Sequence, residues 1–508
     1  MANTDCVRLH KDDNVVVAMS SLKAGSRLVP EGVETTTNVP RGHKAATAAI
    51  GEGSPVVKYG QIIGFASQAI APGDHVHTHN CAFSAFERDY AYGEDVRPVT
   101  MAGENGLLTF QGFKRTNGKV GTRNYIAVCS SVNCSATVSR YIADAFNRTD
   151  ALNSFPNVDG VVAFSHGTGC GMAGGGEGFD NLERVLWGMA SHPNVGAVLM
   201  VGLGCEVFQI PRMTQKYGLG ETDRFHSMTI QGSGGTRKTL EQGVARITEM
   251  LPLVNEAKRE TVPASELTVA LQCGGSDAYS GITANPALGV ATDLLVAQGG
   301  TGVLAETPEI YGAEHLLTRR AASREVGEKL IERIKWWEAY TERNSGSMDN
   351  NPSPGNKAGG LTTILEKSLG AAAKGGSTPL QGVFNYAEQV NRKGFVFMDT
   401  PGYDPASITG QVAGGSNIVC FTTGRGSAYG CKPAPSIKLA TNTPMFTNME
   451  EDMDINCGDI ADGEMSVEEK GAEILQTILR VASGEKTKSE ELGLGDNEFV
   501  PWQIGAVM

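Results

Sequence analysis

The stretch that decides the fold is Leu271–Pro286, LQCGGSDAYSGITANP. The apolar run 267–271 predicts a buried strand, and the apolar-periodic segment 284–296 predicts a helix. Between them lies a strand-to-helix turn, which is where open α/β sheets bind their ligands. The turn carries a thiol, a hydroxyl and a carboxylate, those of Cys273, Ser276 and Asp277. The alternative is a Gly-rich turn in which the hydroxyl or the carboxylate only caps the helix.

Length and composition restrict the class of protein. The chain has 508 residues, so about two to four domains are expected. Its 64 glycines and 19% charged residues suit a compact α/β enzyme with many tight turns. A formal net charge of -13 provides no general basic field for nucleic acid or an anionic membrane, so an anionic substrate needs a local group of Arg and Lys.

The N-terminus MANTDCVRLHKDD has no apolar leader segment, and no apolar run approaches the length of a membrane span. A cytoplasmic protein is therefore expected. The ten cysteines are expected to be reduced thiols, and none of them forms a CxxC pair, which argues against a zinc ribbon. Any metal site has to collect its ligands from separate turns.

Residues 1–97 are predicted to form a small β-rich domain, which holds five of the nine histidines. The run 74–80, DHVHTHN, alternates so that His75, His77 and His79 would share one face of a strand. Such a row indicates metal binding or acid/base chemistry, and the alternative is a solvated edge strand. His43 lies in RGHKAA, where Arg41 and Lys44 would suit an anionic ligand, whereas His10 alone indicates a structural residue.

Residues 98–112 are predicted to be a linker, and a first α/β domain is predicted over 113–260. Its βαβαβ alternation implies a parallel sheet. The predicted strands are 124–132, 160–164 and 196–201, and the predicted helices are 135–146, 179–190 and 237–259. Each of the three strands is followed by a cysteine in a turn, namely Cys134, Cys170 and Cys205.

A second α/β domain is predicted over 261–508. A long charged helix over 323–343 precedes the polar loop 344–360, in which Lys357 is a candidate substrate contact. A second alternation of strands and helices follows, and a terminal helix is predicted over 467–482. NYIAVCSSVNCSA and LTVALQCGGSDAYSG are weakly alike, so a duplicated α/β half stays open.

The four turn cysteines suggest soft-metal chemistry if the turns converge. Thiolates bind iron well, so Cys134, Cys170, Cys205 and Cys273 are candidate ligands of Fe(II) or of an iron–sulfur cluster. The alternative is that two or more of them are inert buried thiols.

Several longer motifs resemble one known family. RGHKAA, KYGQIIGFA and HVHTHN are similar to the SAF-type N-terminal domain of sugar-acid dehydratases. NGKVGTRN, HGTGCG, VGLGCE, NPSPGNK, DTPGYDP, FTTGRGS and DINCGD resemble the main body of the altronate and galactarate dehydratase family, in the expected order. The resemblance implies a small β-rich, β-clip-like SAF domain followed by two α/β domains with mainly parallel sheets.

The resemblance also implies a reaction: loss of water from a 2,3-dihydroxy acid to give a 2-keto-3-deoxy acid, assisted by Fe(II) or another divalent metal. A base must remove the C2 proton, and an acid must help the C3 hydroxyl leave. His43 and His77 are the acid/base candidates, and Ser276 and Asp277 would hold substrate hydroxyls or the outer shell of the metal. The candidates for binding the substrate carboxylate are Lys44, Arg123, Lys357 and Arg425, and those for binding metal, besides the cysteines, are His10 and His79.

The histidine row resembles the altronate members more than the galactarate members, so an altronate-type dehydratase is expected. A galactarate dehydratase and a sulfolactate sulfo-lyase stay open, and so does a non-catalytic protein that binds sugar acids or metal. The expected partner is a small sugar acid, with no nucleic acid and no membrane. A homo-oligomer is compatible with the sequence.

Overall fold

The computed structural model describes residues 5–86 and 88–508, which form an N-terminal β domain and two α/β domains. The predicted α/β class with a small β-rich first domain is confirmed. No helix among the described residues is long and apolar enough to cross a membrane.

The first domain is built from short antiparallel strands in sheets of order β1-β2-β5-β8, β6-β7-β9 and β3-β4. Its strands are β1 (Cys6–Val7), β2 (Val15–Ala18), β3 (Arg27–Leu28), β4 (Val33–Glu34), β5 (Lys44–Ala46), β6 (Pro55–Lys58), β7 (Gln61–Ala66), β8 (His75–Val76) and β9 (Cys81–Ala82). One of its apolar clusters includes Val15 and Ile63 and continues into Leu369 and Ala372 of the third domain. The first domain therefore shares a core with the last one, and this fixes where its histidines lie.

A small antiparallel sheet of order β11-β10-β16 joins the domains, with β10 (Thr109–Lys114), β11 (Val120–Gly121) and β16 (Arg259–Pro263). The second domain is a parallel sheet of order β13-β12-β14-β15. Its elements are β12 (Tyr125–Ser130), β13 (Gly160–Phe164), β14 (Val195–Gly202), β15 (Phe225–Thr229), α1 (Asn133–Asn147), α2 (Glu177–Ala190), α3 (Ile210–Tyr217), α4 (Ile230–Ser233) and α5 (Thr236–Asn255).

The third domain is a seven-stranded parallel sheet of order β19-β20-β18-β17-β21-β22-β23. Its strands are β17 (Thr268–Cys273), β18 (Thr301–Leu304), β19 (Leu380–Phe384), β20 (Gly394–Met398), β21 (Ile418–Thr423), β22 (Ser436–Ala440) and β23 (Ile455–Asn456). The central strands β17 and β21 carry apolar residues that are buried on both faces, as expected for a sheet covered by helices on each side.

The helices of the third domain pack around this sheet. They are α6 (Ala284–Ala297), α7 (Glu314–Thr318), α8 (Arg324–Arg343), α9 (Pro354–Ala358), α10 (Ile364–Ala372), α11 (Asp404–Ala413), α12 (Thr443–Asn448), α13 (Gly458–Asp462), α14 (Val467–Ala482) and α15 (Lys488–Glu491). Helix α14 begins with a capping box in which Ser466 and Glu469 satisfy each other's backbone N–H groups.

Two sequence predictions are wrong in detail. The histidine run does not form one strand, because only His75 and Val76 are extended and the chain then turns, with Asn80 N donating to His77 O at 3.0 Å. The helix predicted over 237–259 ends at Asn255, since β16 takes the residues that follow it into the joining sheet.

Candidate active site

Four histidines of the first domain form one cluster, although they do not lie on one strand face. The ring centroids of His43 and His77 are 4.7 Å apart and stacked, and those of His75 and His79 are 5.4 Å apart. His43 Nδ1 and His75 Nε2 are 3.0 Å apart, within hydrogen-bonding distance. The turn after β8 returns the chain, so His77 and His79 stay beside His75, and β5 brings His43 alongside.

This histidine cluster rests on backbone carbonyl groups of the third domain. His77 Nε2 lies 2.9 Å from the carbonyl oxygen of Lys357, and His43 Nε2 lies 3.4 Å from that of Ala358. Both carbonyls belong to α9, in the polar loop that the sequence marked as functional. A carbonyl can only accept, so both Nε2 atoms carry the proton and the Nδ1 atom of His43 holds a lone pair.

The tautomer of His75 and the partner of His77 Nδ1 follow from these bonds. Because His43 Nδ1 accepts, His75 Nε2 is the donor of the bond between them, which leaves the lone pair of neutral His75 on Nδ1. Thr78 Oγ1, 3.0 Å from His77 Nδ1, donates to the lone pair of that ring. Among these three rings, His75 Nδ1 is the lone pair without a protein partner in the part of the chain that the structure describes.

Three of the four rings, those of His43, His75 and His77, are neutral at pH 7. Burial, together with the neighbouring His77, lowers the pKa of His43 to about 4, and burial with His43 lowers that of His75 to about 3. Burial also lowers the pKa of His77. Neutral imidazoles are proton acceptors, so the cluster provides general bases.

The turn after β17 connects this cluster to a second group of reactive side chains. Its first residue, Cys273, ends the strand, and Ala278 packs beside Gly42, where a Cβ would be 3.5 Å from that of Ala278. Ala278 lies five positions after Cys273 along the chain, a path of at most about 18 Å. Both groups therefore lie along the same carboxyl edge of the seven-stranded sheet.

Asp277 and Ser276 lie in the middle of this turn and are buried. Asp277 accepts hydrogen bonds from Ser280 N, Thr441 Oγ1 and Asn442 Nδ2 at 2.9, 2.9 and 3.1 Å. The carbonyl oxygen of Ser276 accepts from Asn356 Nδ2 at 2.8 Å. These bonds shape the turn, but neither residue caps the helix, because the N-cap of α6 is Thr283, which makes no side-chain capping hydrogen bond. A contact of Ser276 or Asp277 with substrate stays a prediction.

The second group surrounds the thiol of Cys273, which is fully buried. Lys374 Nζ lies 2.8 Å from Cys273 Sγ and 3.2 Å from Glu306 Oε2. Glu309 Oε2 lies 3.5 Å from the same sulfur, and Lys367 Nζ bonds to Glu309 Oε1 at 2.7 Å. Burial and the neighbouring carboxylates raise the pKa of Cys273.

The thiol–carboxylate group can bind a metal ion. Cys273, Glu306 and Glu309 are the one set of three His, Cys, Asp or Glu among the described residues whose ligand atoms lie within 4.8 Å of one another. Glu306 Oε1 is buried and has no hydrogen-bond partner within residues 5–86 and 88–508, and Glu306 adopts a left-handed backbone with φ of 66°. Such strain often marks a functional position. The Lys374 ammonium lies beside both Cys273 Sγ and Glu306 Oε2, where a bound metal ion would lie. A metal ion would therefore have to displace this ammonium group.

Lys44 does not reach the solvent and contributes to an ion cluster that joins two domains. Its Nζ bonds to Glu366 Oε2 at 2.9 Å and to the carbonyl oxygen of Gly360 at 2.7 Å. Lys58 Nζ bonds to the other carboxylate oxygen at 2.9 Å. Burial opposes ionisation of Glu366, but the two lysines outweigh it and lower its pKa. Lys44 is therefore a structural contact instead of a substrate contact.

The guanidinium of Arg123 is also fully occupied by hydrogen bonds within the protein. Its five N–H groups donate to both oxygens of Glu490 and to the carbonyl oxygens of Thr122, Val481 and Glu485, at distances of 2.6–2.8 Å. This sequence prediction is corrected, because no donor is left for a substrate carboxylate. The guanidinium ties the start of β12 to the C-terminal helices.

Arg425 and Lys357 lie at the edge between the two reactive groups. Arg425 is exposed, its backbone N donates to Gly275 O at 2.9 Å, and its guanidinium has no hydrogen-bond partner among the described residues. Lys357 is half-buried, and its charge acts on the carboxylate of Asp349. Of the four predicted carboxylate contacts, Arg425 stays fully available, whereas the charge of Lys357 is partly offset by Asp349.

The predicted metal ligands do not come together as one set. His10 is exposed, with Nδ1 3.5 Å from Asp12 Oδ2, and its ring packs on Gly60. Cys134, Cys170 and Cys205 are exposed in the second domain, whereas Cys273 is buried in the third. The four-cysteine site is corrected, because these residues end strands of two different sheets.

Five functional residues were not predicted from the sequence: Glu306, Glu309, Lys374, Glu366 and His75 as the open base. A signal existed for two of them, because Glu306 and Glu309 follow closely after the apolar run 301–304, which forms the buried strand β18. Lys374 gave no signal, since its partners Cys273 and Glu306 lie far away in sequence.

Together these features define an α/β enzyme whose N-terminal β domain brings neutral imidazoles to a carboxyl edge that already holds a thiol, carboxylates and an arginine. Three family descriptions match it: the altronate/galactarate dehydratase SAF domain at 4–84, the D-galactarate dehydratase/altronate hydrolase second domain at 112–255, and the D-galactarate/altronate dehydratase C-terminal domain at 264–507. The chain belongs to this family of sugar-acid dehydratases.

Individual relatives agree with this assignment. The chain is 37% identical to an altronate dehydratase of Bacillus subtilis, over 96% of each chain. It is also 37% identical to a galactarate dehydratase (L-threo-forming) of Escherichia coli, over 96% of this chain and 95% of that one. The β subunit of a (2R)-sulfolactate sulfo-lyase from Chromohalobacter salexigens is 33% identical over 77% of this chain and 96% of its own.

Proposed function

We propose that the protein removes water from D-altronate to give a 2-keto-3-deoxy acid. The observation that carries this proposal is the cluster of neutral histidines, placed by hydrogen bonds over the carboxyl edge of the seven-stranded sheet. The chain is equally identical, at 37%, to an altronate dehydratase and to a galactarate dehydratase, so sequence identity does not distinguish the two substrates. The choice between them is therefore argued from the charges at the site.

The available cations favour a monocarboxylate. Arg425 has an open guanidinium, whereas the charge of Lys357 is shared with Asp349. Galactarate carries two carboxylates and would need two free cationic contacts, while altronate carries one. The histidine row, which resembles that of the altronate members, points the same way.

His75 is our candidate for the base that takes the C2 proton. Its Nδ1 carries a lone pair that accepts no hydrogen bond from the described residues, and its Nε2 donates a hydrogen bond to His43 Nδ1. His43 and His77 then act as positioning residues, since each is anchored to a carbonyl oxygen of α9. As His75 becomes protonated, His43 Nδ1 accepts from it and spreads the positive charge.

The departure of the C3 hydroxyl needs an acid. Glu306 and Asp404 are candidates, because burial and the neighbouring Glu309 raise the pKa of both carboxyls and keep them protonated to higher pH. Iron(II) held by Cys273, Glu306 and Glu309 would instead supply a Lewis acid for that hydroxyl. After the C2 proton and the C3 hydroxide have left, the enol tautomerises to the keto acid.

An assay with three acids tests the substrate. We expect 2-keto-3-deoxy acid from D-altronate, a much lower kcat/KM with galactarate, and no sulfite from sulfolactate. Arg425→Lys keeps the charge but loses the bidentate fork, so it should raise KM for altronate while changing kcat less. Preferred turnover of galactarate would contradict the substrate proposal and leave the base assignment intact.

A further inference from the structure

The three exposed cysteines of the chain share one edge of one sheet. All ten cysteines are free thiols, and seven of them are buried. The exposed ones are Cys134, at the start of α1, Cys170, between β13 and α2, and Cys205, between β14 and α3. Because β13, β12 and β14 are adjacent parallel strands, all three thiols follow neighbouring strands at the same carboxyl edge. None of them is used in the proposed elimination.

Hydrogen bonds lock the three cysteine-bearing loops together. Asn133 N donates to Thr168 O at 2.9 Å, and Phe208 N donates to Gly169 O at 3.0 Å. The loop of Cys170 therefore lies between the other two. A Cβ at Gly169 would be 2.2 Å from the carbonyl oxygen of Ser131, so only glycine allows the loops to approach this closely.

The surroundings of the thiols suit negatively charged sulfur. Cys134 lies in the first turn of the 15-residue helix α1, whose N-cap Val132 supplies no side-chain acceptor. Although Asn133 N and Ser135 N already donate to Thr168 O and Val132 O, the positive end of the helix dipole there favours an anionic ligand. Gln231 Nε2 donates to Cys205 Sγ at 3.4 Å, which is the kind of N–H···S bond that stabilises cluster thiolates.

A buried carboxylate fixes the loop of Cys205 in place. Glu206 accepts from Gly204 N at 2.6 Å and from Ser131 Oγ at 2.6 Å. These bonds connect the Cys205 loop to the end of β12, directly before Cys134. The thiols are thus carried by preformed loops, although the thiols themselves are exposed.

The spacing indicates a cluster instead of a single ion. Sulfur ligands of one tetrahedral ion lie about 4 Å apart, and the three thiols are not among the described groups whose ligand atoms lie within 4.8 Å. Adjacent strands of a sheet lie about 4.8 Å apart, and β13, β12 and β14 are neighbours. Thiols that follow neighbouring strands on separate loops therefore suit a cluster, in which each thiolate binds a different iron.

We propose that Cys134, Cys170 and Cys205 bind a [4Fe–4S] cluster at the carboxyl edge of the four-stranded sheet. Each thiol loses its proton and each thiolate binds one iron, which leaves the fourth iron open to an oxygen ligand. This second site goes beyond the proposed function, because its presence requires neither the histidine cluster nor the altronate assignment. Cys273 does not take part.

Iron and sulfide analysis tests the proposal on the full-length protein, purified anaerobically and reconstituted with iron and sulfide. We expect about four irons and four sulfides per chain, with a broad absorption near 400 nm. Cys134→Ser, Cys170→Ser and Cys205→Ser should each lose most of the sulfide and the absorption. These thiols are exposed, so the variants should fold, which circular dichroism checks.

Two matched substitutions serve as controls. Cys129→Ser changes a buried cysteine on β12, and Cys273→Ser changes the thiol of the other sheet; both should keep the full sulfide content. Iron without sulfide in the wild type, or undiminished sulfide in the three exposed-cysteine variants, would overturn the proposal. Since no substrate is used, these outcomes are independent of the dehydratase assay.

Discussion

The two parallel sheets carry similar cysteine-bearing turns at their carboxyl edges, but different segments pack on them. The N-terminal domain packs on the edge of the seven-stranded sheet, called the covered edge below, whereas the C-terminal residues Val507 and Met508 contact the Cys170 loop of the four-stranded sheet. At the four-stranded sheet the thiols of Cys134, Cys170 and Cys205 are exposed. At the seven-stranded sheet Cys273 is buried among lysines and carboxylates, and the N-terminal domain adds four histidines nearby. The difference shows that a strand-turn-cysteine pattern does not determine the chemistry of its thiol, because the charged side chains packed around the sulfur, here Lys374, Glu306 and Glu309, set its environment.

The largest effect is expected from removing the base at the covered edge. His75→Ala should lower kcat for altronate by about 10²- to 10⁴-fold with little change in KM, as is typical of a lost general base. Exchange of the C2 proton with deuterated solvent should fall in parallel. His10→Ala, which removes an exposed histidine away from the cluster, should leave both rates unchanged. Near-normal exchange in His75→Ala would exclude it as the base.

The next largest effect is expected from breaking the buried ion cluster that joins the N-terminal domain to the third domain. Glu366→Ala leaves Lys44 and Lys58 buried without a counter-charge, which should cost about 3–5 kcal/mol. A lower urea midpoint for loss of the first domain would report it. Glu260→Ala, which breaks the exposed pair with Lys114, should cost less than about 1 kcal/mol. Equal midpoints for the two variants would mean that the apolar interface alone holds the domains together.

Thiol labelling compares the two edges directly. In native, metal-free protein, three of the ten cysteines should react rapidly with an aromatic disulfide reagent, and they should be those of the four-stranded edge. Cys273 should react only after unfolding, because burial both blocks access and raises its pKa. Mass spectrometry of labelled peptides identifies the sites. Rapid labelling of Cys273 would show that the covered edge opens.

The smallest effect is a dependence of stability on pH. The pKa values of His43 and His75 are about 4 and 3 in the folded protein, against 6.5 for an ordinary histidine. The unfolded chain therefore binds more protons between these limits, so stability is full above pH 6.5 and falls as the pH drops towards 4. We expect the free energy of unfolding to fall continuously through this window, and with a shallower slope in His43→Asn. An unchanged slope in that variant would assign the effect to other groups.

Local patterns predicted most of the fold. Strand 160–164 and helix 467–482 agree with the structure to the residue, because apolar periodicity and the Ser466 cap are encoded locally. The partners of Lys44 and Arg123 could not be predicted, since Glu366 and Glu490 come from distant segments and only packing makes them neighbours. The histidines were recognised, but their turn, and hence the open nitrogen of His75, depended on backbone hydrogen bonds that composition does not encode.

The buried Lys44–Glu366–Lys58 contact has a consequence for how the first domain could be exchanged. Two lysines from one domain enclose a single carboxylate of the other, so the domains recognise each other by charge as well as by shape. A homologous N-terminal domain lacking either lysine would fill the same space but leave Glu366 undercompensated. In a chimeric chain, the exchanged first domain should therefore dock on the third domain only when Lys44, Lys58 and Glu366 are all present.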